Sequence, residues 1–330
     1  MKRILAVLPG RRTVQLAEFR SEQAGSLQLV SQAAVPRHGG KSLALLVEEG
    51  LRAAKVTSGL AGFQKVSVVG AGTLKDGIFS DRSFPGVMNA RELAAKMQLT
   101  GDQCSVLSED ELPRLYYLSA GRKQEFHISG PPAPSTRTSF VIWVGDTMRV
   151  CKVEDKKSAG TRLHTLCIPD ICKIAPHHAY FLPSLAQKLE QEERRLGLAQ
   201  GGLQRIDTLL SEQGFCYISA QGEDTRTPSF ADSVHLFQHH FTEVGQLFAG
   251  YLGRFLYDLI INHNPGELYL FGSVLAACPL LVRESAGKIQ RVLKFALDSL
   301  ADAPEAVNKV TLKVGLDPDA ALHAAAAAVA

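Results

Sequence analysis

Arg11 and Arg12 stand side by side in a turn, after Pro9-Gly10 and between two short apolar runs. Guanidinium groups pair well with phosphate and carboxylate oxygens, so such a turn can grip an anion. It reads equally well as two solvated turn residues. A second candidate is the run Ser108-Glu109-Asp110-Glu111. A carboxylate there could take a proton from a hydroxyl. The same run also reads as a helix start, with a serine cap and acids set against the helix dipole. The six cysteines are scattered, and the one close pair, Cys167 and Cys172, matches no common zinc spacing. They are expected to be buried free thiols. His177-His178 and His239-His240 are adjacent in sequence, so their side chains point apart on a helix or strand. No metal site is expected.

These residues need a frame, and the chain is long enough to build a large one. Its 330 residues, 45% hydrophobic and 21% charged, exceed what one core usually serves. The 36 basic and 33 acidic residues leave a net charge of +3, too small for a nucleic-acid or membrane footprint. Met1-Lys2-Arg3 opens like a secretion signal, but Pro9-Gly10-Arg11-Arg12 interrupts the apolar run Ile4–Leu8. No apolar stretch reaches the length of about 18 residues that a membrane span needs. A cytoplasmic protein without membrane insertion is expected.

Apolar patterning gives the elements. Arg3–Leu8, Thr13–Phe19 and Leu27–Val35 read as strands between turn residues. Apolar residues at 43, 45, 46, 50, 51 and 54 predict a helix over Lys41–Val56. Lys65–Ala71 suits a central strand, Gly77–Ser80 a short one, Ala90–Leu99 a helix and Cys104–Ser108 a further strand. Arg122–Thr138 holds Pro131, Pro132 and Pro134 and is expected to be a loop. Ser139–Val144 and Met148–Val153 flank a Gly145-Asp146 turn, which is a hairpin pattern. Helices are then predicted within His178–Leu196 and across Asp232–Asn262. A strand over Glu267–Phe271, a helix over Pro279–Leu297 and a strand over Lys309–Val314 follow, and Asp317-Pro318-Asp319 opens a final helix.

Four segments, in order, resemble the bacterial glucokinase family of the actin-like ATPase superfamily. VGAGTLKDGIFSDRSFPGVMNARELAAKMQL (69–99) is similar to the strand, sugar-side loop and helix of the family's first lobe. CSVLSEDELPRLYYL (104–118) is similar to the strand ending in the family's Asn-Asp pair. ELYLFGSVLAACPLL (267–281) resembles the strand and Gly-Gly turn that cradle adenosine. VTLKVGLDPDAALHAAAA (310–327) resembles the final strand and the helix returning to the first lobe. The resemblance implies an α/β chain with the two-lobed actin-like ATPase (ribonuclease H-like) fold, its mixed central sheets flanked by helices. Residues 1–108 plus 317–330 would form a smaller lobe, and 109–316 a larger lobe with long helices.

Carried over residue by residue, the resemblance implies a depleted site. The family's Asp-x-Gly-Gly-Thr-Asn turn falls on Leu8-Pro9-Gly10-Arg11-Arg12-Thr13. Leu8 replaces the magnesium-organising acid, and Gly10, Arg11 and Arg12 remain as candidate phosphate contacts. In the second hairpin Gly145 and Thr147 remain, with Asp146 between them to repel a phosphate. The Asn-Asp pair falls on Ser108-Glu109, so Ser108 is a candidate sugar contact, and Glu109 or Asp110 a candidate base. The Glu-Gly-Gly-His sugar clamp falls on Ile168-Pro169-Asp170-Ile171-Cys172-Lys173, which retains neither the Glu nor the His. A further sugar-binding Glu falls on Asp207, and the adenosine Gly-Gly on Gly272-Ser273.

The expectation is a glucokinase-like protein that has lost ATP-dependent sugar phosphorylation and acts as a binding, regulatory or structural module. Its ligand would be a sugar or an anionic small molecule in the cleft between lobes. The alternative is an active hexose kinase with divergent ligands, which would need ATP and Mg2+. A third reading is a cytoplasmic platform of a pilus or secretion machine, which the opening ILAVLPGRRTVQLAEF resembles. No nucleic-acid partner is expected. Helices at 232–262 and 279–297 could form a homodimer face, although packing within the chain is their default use.

Overall fold

The computed structural model describes residues 2–10, 13–22, 27–37, 41–56, 59–70, 73–75, 78–80, 87–108, 111–118, 123–128, 138–145, 148–153, 163–165, 190–191, 194, 205–219, 229–239, 244–287, 310–317 and 319–330. The chain divides into two compact units, Met1–Gly121 with Asp319–Ala330, and Arg122–Pro318.

Unit 1 is built on a sheet of five strands. They are β1 (Lys2–Pro9), β2 (Thr13–Ser21), β3 (Leu27–Pro36), β4 (Lys65–Gly70) and β8 (Cys104–Ser108), in the order β3-β2-β1-β4-β8. β1, β2 and β3 are antiparallel neighbours, while β4 lies parallel to β1 and β8 parallel to β4. A parallel return needs a crossover. Helix α1 (Leu43–Ala53) supplies it, burying Leu43, Leu46, Val47 and Leu51 at helical spacing against the sheet. Each such side chain contributes about 1.5–3 kcal/mol when fully buried. Leu45, one of the apolar residues that predict this helix, is half exposed, because its position falls outside the stripe the other four define. Short strands β5 (Thr73–Lys75), β6 (Ile78–Ser80) and β7 (Val87–Asn89) form a separate small sheet, followed by α2 (Ala90–Lys96).

The last helix, Ala320–Ala327, also belongs to unit 1. It packs on β1, β4 and α3 (Leu112–Leu118). Its alanines let the helix backbone come close to the strands: Ala324, Ala325 and Ala326 are fully buried. The His323 ring meets Phe19 at 4.8 Å, and Lys2 Nζ donates to the Ala330 carbonyl at 2.9 Å.

Unit 2 repeats the scheme. Its sheet runs β12-β11-β10-β13-β14-β9, from β9 (Lys123–Ile128), β10 (Ser139–Val144), β11 (Met148–Val153), β12 (Leu163–Thr165), β13 (Glu267–Phe271) and β14 (Val310–Gly315). Again three antiparallel strands are followed by two parallel ones, and β9 adds an antiparallel edge. That edge strand corrects the loop expected over Arg122–Thr138. Phe126 and Ile128 alternate with polar residues there, and all six residues pair in register with β14. The prolines at 131–134, which drew the loop assignment, lie beyond it.

The core of unit 2 centres on Phe215 of the helix Glu212–Ser219. Its ring meets Phe230, Phe237 and Phe248 edge-on at 6.1, 5.7 and 5.4 Å. The helix expected over Asp232–Asn262 is described as Phe230–His239 and Val244–His263, with 240–243 outside the described residues. Among the described residues no helix is long and apolar enough to cross a membrane.

Cys104, Cys151, Cys216 and Cys278 are buried free thiols. Cys167 and Cys172 lie outside the described residues. Burial pushes the Cys104 thiol up to about 11 and the Cys278 thiol to about 12, from an ordinary 9.0. Unfolded thiols ionise near 9, whereas the folded ones hold their protons, so the unfolded chain gains relative stability above that pH. The contribution is whole below pH 9 and is lost as pH rises towards 11–12. The unfolding midpoint is therefore expected to fall on the alkaline side of pH 9. Native protein at pH 8 should leave both thiols unreacted with iodoacetamide, as peptide mass mapping would record.

Candidate functional site

In unit 1 the hairpin between β1 and β2 ends the sheet's central strand. Leu8 is half-buried and Pro9 buried. The Gly10 amide donates to the Thr13 carbonyl at 2.8 Å and is also 3.1 Å from the Leu8 carbonyl. Arg37 in turn donates to the Gly10 carbonyl at 3.0 Å. Gly10 is thus tied to the strands on either side of the turn. A hydrated magnesium ion needs a carboxylate, and a phosphate needs outward N–H groups. Leu8 and Pro9 offer neither, and the Gly10 N–H is already used. Ser108 stands at the carboxyl end of the parallel strand β8, 9% exposed.

In unit 2 three chain segments converge. The hairpin turn at Gly145 accepts the Glu212 amide through its carbonyl at 2.8 Å. Gly272 follows β13 with φ 127° and ψ 169°, a backbone conformation open essentially to glycine. Ser273 opens the next short helix, and its hydroxyl donates to the Glu212 carboxylate. Ser211 caps the Glu212–Ser219 helix by accepting the Gly214 amide at 3.2 Å. Trp143 fills the centre of this junction. A Cβ on Gly145 would lie 2.7 Å from its indole, and a Cβ on Gly272 would lie 2.6 Å from it. The indole is 4% exposed and lies nearly parallel to Phe271, at 6.3 Å and 8°.

Asp207, also in unit 2, is 9% exposed. Arg205 clamps it from two positions away, with Nε at 3.1 Å from one carboxylate oxygen and a terminal nitrogen at 3.0 Å from the other. Paired forks of this kind fix a carboxylate's orientation.

Of the sequence candidates, Gly10 and Ser108 are placed in unit 1, and Asp207, Gly145, Gly272 and Ser273 in unit 2. Gly145, Gly272 and Ser273 are brought together. Arg11, Arg12, Glu109, Asp110, Asp146, Thr147 and the stretch 168–173 lie outside the described residues. Sequence reasoning missed Trp143, Glu212, Arg205 and Arg37. Arg205 had a local signal, an arginine two residues before an acid. Arg37 and Glu212 act across longer sequence distances, 27 residues to Gly10 and 61 residues to Ser273.

No family model matches the chain, and no curated protein matches it in sequence. Solved structures do match. A glucokinase from Balamuthia mandrillaris in complex with glucose aligns over 100% of this chain and 93% of its own, at 15% identity and TM-score 0.67. A glucokinase from an Antarctic psychrotroph aligns over 100% and 99%, at 14% identity and TM-score 0.61. A ROK-family transcriptional regulator aligns over 99% of this chain and 78% of its own, at 16% identity and TM-score 0.53. The repeated strand order and these whole-length alignments agree, and the chain has the actin-like ATPase fold of the glucokinases and ROK-family sugar kinases.

Proposed function

We propose that this chain is a sugar-kinase-fold protein that has lost ATP-dependent phosphoryl transfer and serves as a binding, regulatory or structural module in the cytoplasm. The observation that carries this reading is the β1–β2 turn. It presents the hydrocarbon of Leu8 where the resemblance calls for a magnesium-organising acid, and its Gly10 N–H bonds to the hairpin itself. Phosphoryl transfer depends on positioning and on neutralising the charge of the phosphates. Without the acid, this turn would offer a hydrated magnesium ion no carboxylate to hold it. A regulatory role suits the fold as well as a catalytic one, since function resides in sites rather than in the scaffold, and one protein of similar fold is a transcriptional regulator. The ligand class favoured is a sugar or a small anion. One protein of similar fold is in complex with glucose, and the Arg11-Arg12 pair supplies cationic charge.

Two measurements test the reading. Purified protein given Mg-ATP and glucose should release glucose phosphate at the buffer background, at least about 10⁴-fold below the roughly 10 s⁻¹ of a typical enzyme. Turnover in the ordinary range, lost in Glu109→Ala, would end it. Binding without catalysis is read by thermal shift, in which a ligand at about 100 times its Kd adds about 2.7 kcal/mol of stability.

The second reading, a working hexose kinase, is favoured by Ser108. It stands at the carboxyl end of a parallel strand, the end at which open α/β sheets bind ligands. Glu109 or Asp110 would then be the base, and Asp207 a sugar contact.

A further inference from the structure

β10 and β13 are adjacent parallel strands, and ligands in open α/β sheets lie outside the carboxyl ends of such strands. Both ends run into glycine here, at Gly145 and Gly272, so backbone without side chains borders the junction from two directions. The space these glycines leave is taken by the Trp143 indole. It lies against both glycine backbones and alongside the Phe271 ring. Indole is a flat, fused five- and six-membered aromatic ring, and purine has the same outline. Surroundings that hold one edge-to-edge and face-to-face suit the other. Next to it the Ser273 hydroxyl donates to the Glu212 carboxylate.

We propose that unit 2 carries its own occupant in this slot: Trp143 fills a place shaped for a purine ring. The inference deepens the reading that phosphoryl transfer has been lost, and it rests on that reading for its functional meaning. Its geometry can be tested separately. The slot is closed by packing alone, with no covalent change, so removing the indole should reopen it. Engineered apolar cavities of about 150 Å³ do take up flat aromatic molecules.

Trp143 is the chain's single tryptophan, so the fluorescence of the unmodified protein reports on this slot alone. Its emission is expected to be blue-shifted, resistant to acrylamide and unchanged by millimolar adenosine or ATP. W143A and the milder W143L, each checked for native circular dichroism, should bind indole and adenosine at concentrations at least about tenfold below the wild-type limit by calorimetry. Ready acrylamide quenching, or a saturable adenosine effect on wild-type emission, overturns the proposal. So does a folded variant that takes up neither indole nor adenosine. If W143A does not fold, W143L and the wild-type quenching decide. Glucose phosphorylation by the wild type would sink the functional reading, while the quenching data would still judge the slot on its own.

Discussion

Gly272→Ala is expected to destabilise the protein by about 3 kcal/mol or more, through two costs that act together. The first is conformational. At φ 127° and ψ 169° the residue occupies a region that side chains with a Cβ avoid, at a cost of about 1–3 kcal/mol. The second is steric. The new Cβ would sit 2.3 Å from the Val144 carbonyl oxygen and 2.6 Å from the Trp143 ring. A backbone oxygen in a sheet cannot swing aside as a surface side chain can, and overpacking of this kind costs about 1–3 kcal/mol. The unfolding midpoint should fall by about 6–12 °C, given the scaling for units of this size. A midpoint within 2 °C of wild type would mean that the turn adopts a different backbone in solution.

Phe215→Ala is expected to cost about 3–5 kcal/mol. The ring is completely buried, and three other phenylalanine rings, from two further helices, pack edge-on against it. Truncation removes its apolar burial and also three edge-to-face contacts, each worth about 0.5–1.5 kcal/mol beyond area. The neighbours cannot collapse into the gap without breaking their own packing, so the upper half of the range applies. Phe215→Leu should recover most of the loss, because it keeps volume while giving up only the ring geometry. Chemical denaturation of the three proteins side by side checks the order. Equal midpoints for the alanine and leucine variants would place the aromatic contacts, rather than the cavity, at the centre of the effect.

The strands of both sheets were legible because they are short apolar runs bounded by turn residues. Cys104–Ser108, Ser139–Val144, Met148–Val153 and Glu267–Phe271 appear with the bounds their patterning predicts. β9 was not legible. An edge strand gains its stability from a partner's backbone, here β14, 192 residues further along by the Lys123–Gly315 pairing. Nothing local distinguishes it from the start of a proline-rich loop. The glycines and Ser273 could be identified as turn residues from sequence. What fills the space beside them could not, because Trp143 reads simply as one more apolar residue of a buried strand. Its meeting with Gly272 depends on the pairing of β10 with β13.

The helix Ala320–Ala327 has a consequence for how the molecule assembles. It completes unit 1 although it follows the whole of unit 2 in sequence, and the Lys2–Ala330 hydrogen bond joins residues 328 apart. On a ribosome the first sheet is made early yet must wait, one apolar side uncovered, until residues 320–327 have been made. Unit 2 is one unbroken stretch and can fold in the meantime. By collapsing, it draws in the long intervening loop and lowers the entropic cost of that final closure, which grows only as the logarithm of loop length. The second half of the chain therefore acts, during synthesis, as a clasp for the first.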